Sequence, residues 1–151
     1  MSPPIFLSLL RELASTYQVF GFYSSAHIRS LGLTPPQFDI VATLGNTPGM
    51  TPKELGEKTL ITKGTLTGVV DRLGNKGLVR RAASPSDGRS QVVQLTRAGE
   101  KLFARVFPAH VKYMQRAFAQ LSPEDVAGIT AGLHRLREAF TAAHTSGEEL
   151  P

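Results

Sequence analysis

The sequence predicts a mainly α-helical fold interrupted by one small β-hairpin, and three observations carry that prediction. Helix starts recur along the chain as a hydroxyl residue, then proline, then an acid or amide. Between those starts the apolar residues return every three or four positions, the spacing of one helical face. Only near the middle does the pattern change, where alternating QVVQL at 91–95 follows the polar, turn-forming loop SPSDGRS at 84–90.

A first helix is expected over 5–30, with Phe6, Leu10, Leu13, Tyr17 and Phe20 forming an apolar stripe. Thr34-Pro-Pro-Gln37 opens a second helix over 35–44, and Thr51-Pro-Lys-Glu54 a third over 52–58. In each, threonine caps the free N–H groups, proline takes the first helical position, and Gln or Glu returns the capping bond. A brief turn near Leu60 and Ile61 leads to a fourth helix over 63–76. Strands at 78–82 and 91–95 then flank the polar loop. A fifth helix over 97–120 carries the stripe Phe107, Val111, Met114, Phe118 and Leu121, and Pro108 inside it is expected to bend it. Ser122-Pro-Glu-Asp125, a near relative of the earlier starts, opens a sixth helix over 123–143 with the stripe Val126, Ile129, Leu133, Leu136 and Phe140. Residues 147–151 read as a frayed, flexible tail.

The terminal stripes present more apolar surface than the small middle region can cover. They predict packing against a second copy of the chain, with an intramolecular bundle as the alternative. On this reading 1–33 and 97–146 form a helical dimerisation region around a separate middle region at 34–96.

A length of 151 residues fits one domain, and 41% hydrophobic with 19% charged residues is enough to build a core. No run of about 18 apolar residues occurs, which argues against a membrane span. The start MSPPIFLSLLRELAS lacks the basic segment and cleavage site of a secretory signal, so a cytoplasmic protein is expected. The absence of cysteine excludes disulfides, thiolate metal sites and cysteine redox sensing together.

Charge is concentrated rather than spread. Between Thr51 and Arg97 the cations Lys53, Lys58, Lys63, Arg72, Lys76, Arg80, Arg81, Arg89 and Arg97 outnumber the acids Glu54, Glu57, Asp71 and Asp87, and the remainder of the chain balances. The whole formal net charge of +5 therefore lies in about a third of the sequence, as expected of a polyanion-binding surface. A solvated face with no partner is the plainer alternative.

The same segment has the order helix, turn, helix, hairpin, which is a helix-turn-helix with a wing. In its second helix Leu66, Val69, Val70 and Leu73 fall on one face, and Gly64, Gly68, Asp71 and Asn75 on the opposite face. Two exposed glycines lose about 1 kcal/mol each against alanine. Close approach of this helix to a DNA groove accounts for that loss, because missing side chains let backbone and the hydroxyls of Thr62, Thr65 and Thr67 reach phosphates and base edges. Lys63 and Thr65 lie in the first turn, where free N–H groups favour phosphate, and Arg72 flanks the face. Asp71 would be repelled by phosphate unless a neighbouring cation neutralises it.

In the wing, Arg89 is the candidate minor-groove residue, with Ser90 beside it and Asp87 placed to orient its guanidinium. Arg80 and Arg81 at the base lie near phosphates on this reading, or are exposed surface charges. No phosphate loop, nucleophile elbow or metal cluster occurs, and His27, His110, His134 and His144 show no i, i+4 pairing with one another. No enzyme, metal or cofactor is expected.

The stretch TPKELGEKTLITKGTLTGVVDRLGNKGLVRRAASPSDGRSQVVQLTRAGEKL resembles the winged-helix core of the MarR family of bacterial and archaeal transcriptional regulators. The likeness spans 31–102 and includes the D-x-R wing signature at Asp87 and Arg89 and the LTRAGEKL that opens the next helix. It implies a homodimer with interlocked terminal helices, in which two winged helices bind a pseudo-palindromic operator in double-stranded DNA. It also implies that 62–72 is the groove helix and Arg89 the minor-groove contact. Where many members carry a large polar residue this chain has Gly68, so their operator preference does not transfer. The resemblance further implies release by a small aromatic, phenolic or lipophilic effector bound between the dimerisation helices and the winged helix, near Tyr23, His27 and Phe38. A repressor is the leading reading; a non-specific nucleoid-type binder and a ligand-independent regulator or activator are the alternatives.

Overall fold

Hydroxyl caps set the helix starts. In the computed structural model, which describes residues 1–59 and 61–146, Thr34 Oγ1 accepts from the Gln37 N–H at 3.4 Å while Gln37 Oε1 accepts from the Thr34 N–H at 3.0 Å. The same reciprocal box joins Ser122 and Asp125, and Thr51 accepts from the Glu54 N–H. The elements in order are α1 (Phe6–Ser30), α2 (Pro35–Leu44), α3 (Pro52–Thr59), α4 (Lys63–Asn75), β1 (Val79–Ala83), β2 (Gln91–Leu95), α5 (Arg97–Phe118) and α6 (Pro123–Thr145). Boundaries differ from the expected ones by one or two residues. α5 runs continuously through Pro108, whose missing N–H lies on an exposed face. Leu60, within the expected turn, and the expected tail at 147–151 lie outside the described residues.

The chain divides into two compact units, Met1–Tyr113 and Met114–Pro151. In the first, Ile40, Val41 and Leu44 of α2, Leu55 of α3, the inner face of α4 and Val79, Val93 and Leu95 of the hairpin form one buried cluster. A smaller cluster of Ile28, Leu33, Phe38 and Val106 ties α1 and α2 to α5. In the second unit no residue of α6 is buried: Val126, Ile129, Leu133 and Phe140 stand exposed along it.

β1 and β2 pair antiparallel, with Arg80 opposite Gln94 and Arg81 opposite Val93. The expected alternation along 91–95 is only partly present, because Val92 and Val93 are both buried. β2 has a second neighbour, the 49–50 segment: Met50 and Val93 exchange backbone hydrogen bonds at 3.0 and 2.7 Å on its far edge, and Gly49 lies against Val92. Gly49 makes that approach feasible. It sits at φ +112°, and a Cβ there would press on Val92, Gln94 and the Val93 carbonyl.

The root of the hairpin is tied to two helices. Two residues past the end of α4, Gly77 lies in the left-handed region at φ +72°, and the Leu78 N–H returns to the Leu73 carbonyl at 3.0 Å. Thr96 closes the other side, its N–H donating to Leu78 O and its hydroxyl to Gly77 O at 2.6 Å. It also caps α5 by accepting from the Gly99 N–H. The wing is thus held by the end of the second helix of the helix-turn-helix and the start of α5.

Candidate nucleic-acid interface

The outer face of α4 follows from its inner one. Leu66, Val69, Val70 and Leu73 are buried, which turns Gly64, Thr65, Asp71, Arg72 and Asn75 to the exterior, with Gly68 half-buried among them. Alanine at Gly64 or Gly68 would meet nothing within 4 Å, so packing within the chain does not explain either glycine. At the helix start the Thr62 hydroxyl donates to Thr65 Oγ1 at 3.1 Å and makes no backbone cap bond. The first N–H groups of α4, beside the exposed Lys63, therefore face outward without a side-chain cap. An open groove between α3 and α4, lined by Lys53, Glu57, Lys63 and Thr67, borders the same end.

Asp71 is neutralised. Arg81 Nη2 donates to Asp71 Oδ1 at 2.9 Å, joining the outer face of α4 to β1. Both side chains are about half exposed, so the pair adds little to stability, on the order of 0–1 kcal/mol. Its consequences are electrostatic and geometric: the acid no longer repels phosphate, and the wing is docked against α4. Arg81 is thereby committed to an acid rather than left for phosphate alone. Arg80 is also held, its Nε and Nη2 donating to Gln94 Oε1 at 3.0 and 2.8 Å across the strand pair. At the tip, Asp87 Oδ1 accepts from the Arg89 backbone N–H at 3.0 Å and Oδ2 from the Ser90 hydroxyl at 3.4 Å. Asp87 shapes the loop and does not hold the Arg89 guanidinium, which corrects the expected contact. The reason is local: an Asp side chain readily reaches the backbone N–H two residues on. Among the described residues Lys63, Arg72 and Arg89 form no ion pair.

A MarR family model matches residues 31–90, the segment that holds α2, α3, α4, β1 and the wing loop. The HTH-type transcriptional regulator MhqR of Bacillus subtilis is 32% identical over 130 residues, covering 86% of this chain and 90% of that protein. This chain belongs to the MarR family. Another relative of this transcriptional regulator is the homoprotocatechuate degradative operon repressor of Escherichia coli, 27% identical over 95% of both chains. The solved structure of AbsC, a MarR family transcriptional regulator from Streptomyces coelicolor, matches with a TM-score of 0.81 at 25% identity, covering 94% of this chain and 98% of that one.

Away from the wing, the regulator gathers Tyr23, His27 and Phe38 into one cluster with Ser24, His110 and Tyr113. The Tyr113 ring stacks on His27 at 4.2 Å and on Tyr23 at 4.4 Å, and Phe38 meets His110 edge-on at 4.6 Å. These are direct ring contacts, with no room for a ligand ring between the partners. The Tyr23 hydroxyl donates to the Tyr113 carbonyl at 3.0 Å. Ser24, His110 and Tyr113 escaped the sequence reading. The signal that could have found them is matched spacing: Tyr23 and His27 lie one turn apart on α1, and His110 and Tyr113 one turn apart on α5.

The open space at Gly68 leads to a test with two opposite signs. Gly68→Ala is expected to raise stability by up to about 1 kcal/mol, as alanine improves a helix interior. If α4 enters a DNA groove by this face, the added methyl is expected to weaken operator binding at the same time. Thermal melting and a binding titration on one preparation read both; a stabilised variant with unchanged affinity would remove α4's small-residue face from the interface.

Proposed function

We propose that this MarR-family protein is a homodimeric repressor that binds a pseudo-palindromic operator and releases it when a small aromatic or phenolic effector binds. The observation that supports the DNA-binding geometry is the docking of the wing on α4 through Arg81 and Asp71, with Lys63, Arg72 and Arg89 exposed and, among the described residues, in no ion pair. α4 enters the major groove with Thr62, Lys63, Thr65, Thr67 and Gly68 leading, Arg80 and Arg81 lie along the backbone, and Arg89 with Ser90 enters the adjacent minor groove.

The dimer is supported by apolar surface that one chain leaves bare. Phe6, Leu10, Phe20, Phe107, Val111, Phe118, Ile129, Leu133 and Phe140 are all exposed, on the three helices whose stripes predict helix-on-helix packing. The effector reading is supported by a relative named the homoprotocatechuate degradative operon repressor.

Selection of bound fragments from the source genome, repeated with excess random DNA at about 150 mM salt, tests the reading. The expected result is a two-fold motif with half-sites about 10 base pairs apart, bound by a species of twice the 16.3 kDa chain mass in light scattering. Binding that vanishes with competitor and salt would mark a non-specific phosphate binder instead.

A further inference from the structure

His27 on α1 and His110 on α5 lie 83 residues apart in sequence, yet their Nδ1 atoms meet at 3.0 Å. The other ring nitrogen of His110 meets the Ser24 hydroxyl at 3.2 Å. His110 is buried, at 8% exposure, and Phe38 of α2 packs on its ring. One imidazole thus touches three helices: α1 through His27 and Ser24, α2 through Phe38, and its own α5. Two of those, α1 and α5, carry the bare apolar stripes, while α2 belongs to the core on which α4 rests.

Proton counting decides what this contact tolerates. A neutral imidazole has one N–H and an imidazolium two. A 3.0 Å contact between two Nδ1 atoms needs one proton between them. Two neutral rings satisfy it. So does a single charge, since a charged His110 donates from Nδ1 to His27 and from Nε2 to Ser24. Two charged rings do not, because each would point an N–H at the other with no lone pair left to accept.

We propose that the His27–His110 contact is a proton-operated latch that holds α1, α2 and α5 together and opens when both rings are charged, so that acid lowers operator affinity. The operator clause rests on the DNA-binding reading above; the latch itself does not. Burial lowers the His110 pKa below the ordinary histidine value, and the charge of His27 lowers it further. The folded chain therefore binds this proton less readily than the unfolded chain. The stabilisation is fully present above the unfolded value of about 6.5 and is lost as pH falls from there towards the depressed folded value.

The ring of Tyr113 on α5 stacks against His27, with Tyr23 of α1 beyond it. Arg29 on α1, Asp39 on α2, and Arg105 and Lys112 on α5 are the charged residues of the same stretches. Among the described residues neither His27 nor His110 forms an ion pair. Burial raises the Asp39 carboxyl, a pH contribution that a substitution at position 27 leaves in place.

His27→Gln provides the test, since an amide can donate to or accept from His110 but cannot charge. Between about pH 7.5 and about pH 5.5 the full-length wild type is expected to lose melting temperature more steeply than H27Q. Over that interval its affinity for a genomic fragment selected at about pH 7.5 is expected to fall about tenfold or more, and that of H27Q by less than about threefold. Parallel profiles in the two proteins would overturn the latch. An imidazole NMR titration of the unsubstituted protein serves if H27Q folds poorly: a depressed, coupled His110 titration supports the latch, and two independent titrations near about 6.5 overturn it. Absence of fragment binding at about pH 7.5 would count against the DNA-binding reading, while melting and NMR still decide the latch.

Discussion

Arg89→Ala is expected to weaken operator binding by about tenfold to a hundredfold while leaving the melting temperature unchanged, the range of roughly 1–3 kcal/mol for a lost groove arginine. The two halves of that expectation have separate grounds. Affinity falls because, in the proposed DNA-binding geometry, the wing-tip guanidinium enters a narrow minor groove, where negative potential is concentrated. Stability holds because Arg89 is exposed and only its backbone N–H is engaged, by Asp87 Oδ1 at 3.0 Å. Alanine keeps that N–H. Arg89→Lys should recover part of the loss, as a point charge without the planar fork. Unchanged affinity for Arg89→Ala at about 150 mM salt would remove the wing tip from the interface.

What could be read in advance divides by distance along the chain. Caps are local: Thr34 and Gln37, or Ser122 and Asp125, lie three residues apart, and both boxes form in the structure. Helix faces are local too, and the four residues assigned to the inner face of α4 are all buried. The same holds for the order of elements and the existence of the wing. The failures are contacts between elements. Asp71 and Arg81 are ten residues apart on a helix and a strand, so the need for a neutralising cation was legible while its identity was not. The alternation along 91–95 is incomplete because the 49–50 segment, far back in sequence, pairs with β2 at Val93 and brings Gly49 against Val92.

The aromatic cluster shows the same limit more sharply. Tyr23, His27 and Phe38 were placed near one another by resemblance, not by spacing. Their partners His110 and Tyr113 lie on a helix that sequence alone marked only by its apolar stripe. Histidines compared by i, i+4 spacing along one helix stay apart, whereas two helices packed side by side bring His27 and His110 into contact. Asp87 erred in the other direction. A charge two residues from an arginine invites an ion pair, yet the nearer backbone N–H takes the carboxylate first.

Gly99→Ala is expected to destabilise the protein by about 1–3 kcal/mol or more, with weaker operator binding as a second consequence. Gly99 lies in the first turn of α5 and is buried. A Cβ there would overlap the Leu78 carbonyl oxygen and crowd Leu95. The obstruction is backbone, so no side-chain rotation relieves it; either α5 or the strand root must shift. Leu78 O is the acceptor for the Thr96 N–H, and Thr96 in turn caps α5 and holds Gly77. Displacement there strains three bonds that fix where the wing leaves the body. Because β1 carries Arg81, a moved strand root also disturbs the contact with Asp71 on α4, which ties the stability loss to the reading surface. Gly68→Ala is the internal comparison, an identical substitution in a helix whose Cβ meets open space. The two should move the melting temperature in opposite directions. A Gly99→Ala protein that melts with or above the wild type would show that the strand root yields freely, and that the wing is not set by this junction.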